Sequence, residues 1–166
     1  MKKKPPFRAG QAARKDRTVQ EFEHDPYKAR GKPKEPTACP QCGAVFHKGR
    51  WTWGAKPPQA HEALCPACHR IHDKYPQGIL TITGPFLIDH KEEILGVVRN
   101  TEAKEKAEHP LSRIMSIEQQ GGGLVVATTD THLPRRIGET LHHAYEGDFS
   151  LHYDEGDQFI RLKWER

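Results

Sequence analysis

Two Cys-x-x-Cys pairs constrain this chain more than any other feature. Cys39-Pro40-Gln41-Cys42-Gly43 is followed, after 22 intervening residues, by Cys65-Pro66-Ala67-Cys68-His69. Each pair can turn two thiolates toward one ion, and two such knuckles close a tetrahedral four-sulfur site with metal–sulfur bonds of about 2.3 Å. The stretch between the pairs is slightly longer than usual, a length that an extended hairpin absorbs. The expected cofactor is one structural Zn2+ on Cys39, Cys42, Cys65 and Cys68, because four thiolates leave no open position for water or substrate.

Composition supports the metal independently. Of the 31 Leu, Ile, Val and Phe residues, residues 1–37 hold three, residues 38–78 hold four and residues 79–166 hold 24. The middle segment has only Val45, Phe46, Leu64 and Ile71, with Trp51 and Trp53, to organise 41 residues. That is too little apolar surface, whereas zinc contributes about 10–16 kcal/mol of apparent binding energy in small modules. Three other readings of the cysteines fit the sequence less well. Cys65–His69 matches the haem-attachment pattern, which would leave Cys39 and Cys42 unexplained. A thiol–disulfide centre lacks its usual thioredoxin-like surroundings. His47, His61, His69 or His72 could replace a cysteine or build a second site, although an exposed or supporting position is the commoner fate of such residues.

The chain divides accordingly into a basic arm (1–37), a four-cysteine ribbon (38–78) and an α/β sandwich domain (79–166). Net charge runs +6, +3 and −5 over the three, so any attraction to polyanions lies at the front. The arm has almost nothing to bury and is expected to be mostly disordered, with a short helix feasible around Gln11–Phe22. Lys2, Lys3, Lys4, Arg8, Arg14, Lys15 and Arg17 suit phosphate contacts. In the ribbon, Trp51 and Trp53 share a face if the segment is a strand, beside Lys48 and Arg50, a mixture used to hold phosphates and stack bases; packing over the knuckles is the competing role for the indoles.

Residues 79–166 read as β-α-β-β-α-β-β. Ile79–Thr83 is a strand, and Pro85 opens a helix to about Glu108 with Ile88, Ile94, Leu95 and Val98 as its apolar face. Arg113–Gln119 and Leu124–Thr129 flank a triple-glycine turn. Asp130 or Thr131 caps a helix carrying Leu133, Ile137, Leu141, Ala144 and Tyr145, with Arg135 and Arg136 outward as a second RNA contact. A closing hairpin has Phe149, Leu151 and Tyr153 alternating inward, as do Ile160, Leu162 and Trp164. The expected fold is α+β: a ferredoxin-like antiparallel sheet with two helices on one face.

No phosphate loop, nucleophile elbow or His-Glu-x-x-His motif is present, and His61-Glu62 with Leu64-Cys65 departs from the zinc-deaminase signature on both halves. No enzymatic role is expected. Met1-Lys2-Lys3-Lys4 is followed by no apolar segment, and no run approaches a membrane span, so the expected location is a reducing cytoplasm.

Cys39-Pro-x-Cys42-Gly43, Cys65-Pro-x-Cys68 and the segment from Val126 to Leu141 together resemble a family of small bacterial proteins with a zinc-plus-α/β layout, whose members are mostly uncharacterised. More distantly they resemble the N-terminal part of the archaeal and eukaryotic large-ribosomal-subunit export adaptor, named for nonsense-mediated decay. The resemblance covers residues 39–164. The adaptor carries further cysteine pairs and long additional domains, neither found here. What the resemblance implies is association with the ribosome or structured RNA, with a ribosomal protein as a further partner; it specifies no oligomeric state.

Overall fold

In the computed structural model, Tyr27, residues 31–154 and residues 158–166 are described. They form two mixed sheets. The first, ordered β3-β2-β1-β4, consists of β1 (Thr37–Ala38), β2 (Val45–His47), β3 (Arg50–Thr52) and β4 (His61–Glu62). It is followed by a short helix α1 (Pro66–Asp73). The second sheet, ordered β6-β7-β5-β9-β8, consists of β5 (Gly78–Thr83), β6 (Ile114–Gln120), β7 (Gly123–Thr128), β8 (Asp148–Tyr153) and β9 (Ile160–Glu165). Two helices complete this domain: α2 (Pro85–Glu108) and α3 (His132–Tyr145).

The strand–helix order of residues 79–166 is the expected one, but the sheet is not wholly antiparallel. β9 runs parallel to β5, with Leu80 opposite Leu162 and Ile82 opposite Trp164. Side-chain alternation fixes which face of a strand is buried and carries no information on the direction of its partner. Leu80, Ile82, Leu124, Val126, Ile160, Leu162 and Trp164 are buried on one face of the sheet, in the same core as Leu87, Ile94, Leu95 and Val98 of α2 and Leu133, Ile137 and Leu141 of α3.

Four side chains assigned to this core lie outside it. Ile88 is 77% exposed and Leu87 is buried in its place. At about 100° per residue, Leu87 stands two turns before Ile94 on the same stripe, while Ile88 falls about a third of a turn away; His90, with φ −119° and ψ 25°, also breaks the helix between them. Leu151 and Tyr153 share the core side of β8 with Phe149 by register, yet both are exposed on this edge strand, where the close seat of α3 is on Phe149. That seat requires Gly138, where a Cβ would come within 2.3 Å of the Phe149 ring. Ala144 also faces solvent. The Asp130 carboxylate accepts the Leu133 N–H at 2.9 Å, so the first turn of α3 is capped as its sequence suggests.

The basic residues 2–17 and the helix considered at Gln11–Phe22 lie outside the described residues. Parts of the segment assigned to the arm join the ribbon. Thr37 is buried in β1, the Glu35 carboxylate accepts the N–H groups of Lys48 and Gly49 in the β2–β3 turn, and the Tyr27 hydroxyl donates to Asp73 at 2.8 Å. Among the described residues, no helix is long and apolar enough to cross a membrane.

Candidate metal centre and adjoining cleft

The first knuckle turns on Gly43, whose φ of +79° is open to glycine at little cost. Here Gly43 N–H reaches the Cys39 carbonyl at 2.9 Å, and Cys39 N–H reaches the Ala44 carbonyl at 2.8 Å. The second knuckle is the start of α1. Cys65 is its cap and accepts the Cys68 N–H on sulfur at 3.4 Å, with Pro66 in the first turn. Cys65 N–H in turn donates to the Cys39 sulfur at 3.4 Å, tying the knuckles together.

The four sulfurs lie within 4.8 Å of one another, and those of Cys42 and Cys65 are 3.8 Å apart. A tetrahedron with bonds of about 2.3 Å has sulfur–sulfur edges of about 3.8 Å, so the cluster has the dimensions to hold a metal ion. Cys39, Cys65 and Cys68 are buried, and with Ala67 they form the small core of the ribbon, against which Trp51, Leu64 and Leu111 pack. Burial pushes the Cys65 and Cys68 thiols up from their ordinary range. For Cys39 burial is outweighed by N–H donation from Cys65, Cys42 and Gln41, which brings it down to about 7. Four such sulfurs with no cation among them are a poor core and a good ligand set. His47, His61, His69 and His72 are exposed and stand apart from this cluster.

A residue from the other domain completes the site. Arg113, 7% exposed just before β6, donates to the Cys68 sulfur at 3.3 Å and approaches the Cys65 sulfur at 3.7 Å. Its Nε is held by the Pro110 carbonyl at 2.7 Å. Burial opposes the charge, but the sulfurs of Cys42, Cys68 and Cys65 outweigh it and hold its pKa above the ordinary arginine value. Sequence reading missed Arg113. A lone arginine at a strand edge has no pattern, and only tertiary contact brings it to the sulfurs.

Beside the metal cluster, ribbon and α/β domain enclose an open cleft of about 930 Å³. Arg50 and Trp51 line it from β3, and Arg135 and Arg136 line it from α3, with His109 and His132 between. Four of the residues singled out for nucleic-acid contact therefore share one concavity. Arg135 pairs with Glu139 at 2.9 Å and Arg136 with Glu105 at 3.0 Å, whereas Arg50 makes no ion pair among the described residues. Lys48 lies exposed in the β2–β3 turn. Trp51 is half-buried, its ring tilted against Phe46 at 5.5 Å. Trp53 does not stand free: its indole N–H donates to the Lys106 carbonyl of α2 at 2.6 Å, linking ribbon to domain. No family model, no curated protein and no solved structure matches this chain.

Proposed function

We propose that this is a non-enzymatic zinc protein that associates with the ribosome or another structured RNA. The zinc ion, held by Cys39, Cys42, Cys65 and Cys68, supplies the folding energy that the ribbon lacks and has no open position for catalysis. The observation that carries the RNA reading is the cleft in which Arg50 and Trp51 face Arg135 and Arg136 across the two domains. Phosphates suit the guanidinium groups, and the exposed edge of Trp51 offers a ring to an unstacked base. The basic residues at 2–17 add sequence-independent attraction.

Sedimentation of the tagged protein through a sucrose gradient tests this reading. Co-migration with ribosomes that nuclease and high salt abolish is expected; migration as a free protein under all conditions would overturn it. One observation favours a second reading, docking to a protein: β8 is an edge strand with Leu151 and Tyr153 exposed, 38% and 40%. Capture of partners that survives nuclease would select that reading instead.

A further inference from the structure

Among the described residues, a few side-chain contacts join the ribbon to the α/β domain. Besides the Trp53–Lys106 bond and the packing of Leu111 against the cysteine cluster, the contact is Arg113. The backbone of Arg113 is fixed in its own domain: its N–H donates to the Thr129 hydroxyl at 2.9 Å, and its carbonyl accepts the Thr129 N–H at 3.0 Å. Its side chain is directed by Pro110 and ends on Cys68 and Cys65. Among the described residues the guanidinium has no carboxylate partner.

A divalent ion bound by four thiolates carries a net charge of about −2. Such a centre, buried, needs a cation, and a buried guanidinium needs an anion. The centre and Arg113 are therefore each other's counterions, although they belong to different domains. The acceptors exist at the right places only while an ion draws the four sulfurs to one point, since the ribbon has little else at its core.

We propose that Arg113 is the counterion of the metal centre and the latch through which metal occupancy holds the α/β domain against the ribbon. The cleft between Arg50 and Arg136 then exists only in the metal-loaded protein. Because linkage is reciprocal, docking must also tighten metal binding. The inference rests on the metal reading of the previous section and is independent of RNA binding.

The test uses the full chain and two readouts that involve no RNA. One is zinc affinity, from competition with a chelator; the other is amide hydrogen exchange over Leu111–Arg113, the segment that meets the ribbon. In the wild type, chelation should raise exchange in this segment while the buried core around Ile137 and Trp164 stays protected. In Arg113→Met, loaded with zinc, the same segment should already exchange fast, and zinc affinity should fall by about 10–100-fold, the usual cost of losing a residue that supports metal ligands. Arg113→Lys, which keeps the charge without the two-pronged reach, should fall between. Unchanged exchange after chelation of the wild type would overturn the proposal even if Arg113→Met failed to fold. So would a loaded Arg113→Met or Arg113→Lys with wild-type zinc affinity. A protein that binds no metal at all would instead overturn the earlier reading.

Discussion

The cleft arginines differ in what they can offer a phosphate, and the difference yields a graded prediction. Each phosphate neutralised by a free cation contributes about 0.7–0.9 to the slope of log affinity against log salt. Arg50 is exposed and unpaired among the described residues, so Arg50→Ala should shallow the slope by about that amount, roughly five- to eightfold in affinity per tenfold change in salt. Arg136 is already neutralised by Glu105, whose side chain is only 21% exposed, so Arg136→Ala should cost less than Arg50→Ala. Glu105→Gln should act in the opposite sense: it frees Arg136, tightens binding and steepens the slope. Fluorescence anisotropy of a labelled structured RNA between about 50 and 200 mM salt measures all three. Equal slopes for wild type, Arg50→Ala and Glu105→Gln would refute the assignment of the cleft to phosphate contact.

Other expectations concern the fold and the metal. Gly138→Ala forces a methyl group into the Phe149 ring and should destabilise the α/β domain by about 1–3 kcal/mol in denaturant titration, despite alanine's better helix propensity. Leu87→Ala should cost about 2–5 kcal/mol and Ile88→Lys almost nothing, an order that the buried and exposed positions in α2 require. Trp53→Phe removes the bond to the Lys106 carbonyl and should lower the melting temperature by the equivalent of about 1 kcal/mol. The Cys65 and Cys68 thiols lie above their ordinary range and are protonated at neutral pH without metal. Binding must expel those protons, so affinity for zinc rises with pH and is lost on acidification. Calorimetry in two buffers should count at least two protons released per ion.

The sequence was most informative where one chemical demand dominates. The cysteine pairs converge as their spacing requires, and the alternation in β9 identifies Ile160, Leu162 and Trp164 as core. Helix α3 was legible from Leu133, Ile137 and Leu141 together with its cap at Asp130. Errors arose where a local pattern needed tertiary knowledge. Ile88 satisfies apolar character but not the angular phase of α2, and Leu151 and Tyr153 sit on the correct face of an edge strand where they remain exposed. Strand direction was hidden for the same reason, because β9 inserts beside β5 from a hairpin whose own pairing is local. Arg113 was invisible because its function depends on a partner 45 residues away in the chain. The role of Trp53 as a bridge to α2 also depends on the docking of two segments that the sequence reads as separate.

The claim beneath all of this is that a metal ion organises the ribbon and, through it, the cleft. Native mass spectrometry of the purified chain, followed by chelation and a second measurement of the tertiary signals of Trp51 and Val45, tests it most directly. One zinc per chain, with those signals collapsing on its removal while the Trp164 core persists, is the expected result. A metal-free chain with an intact ribbon would contradict it.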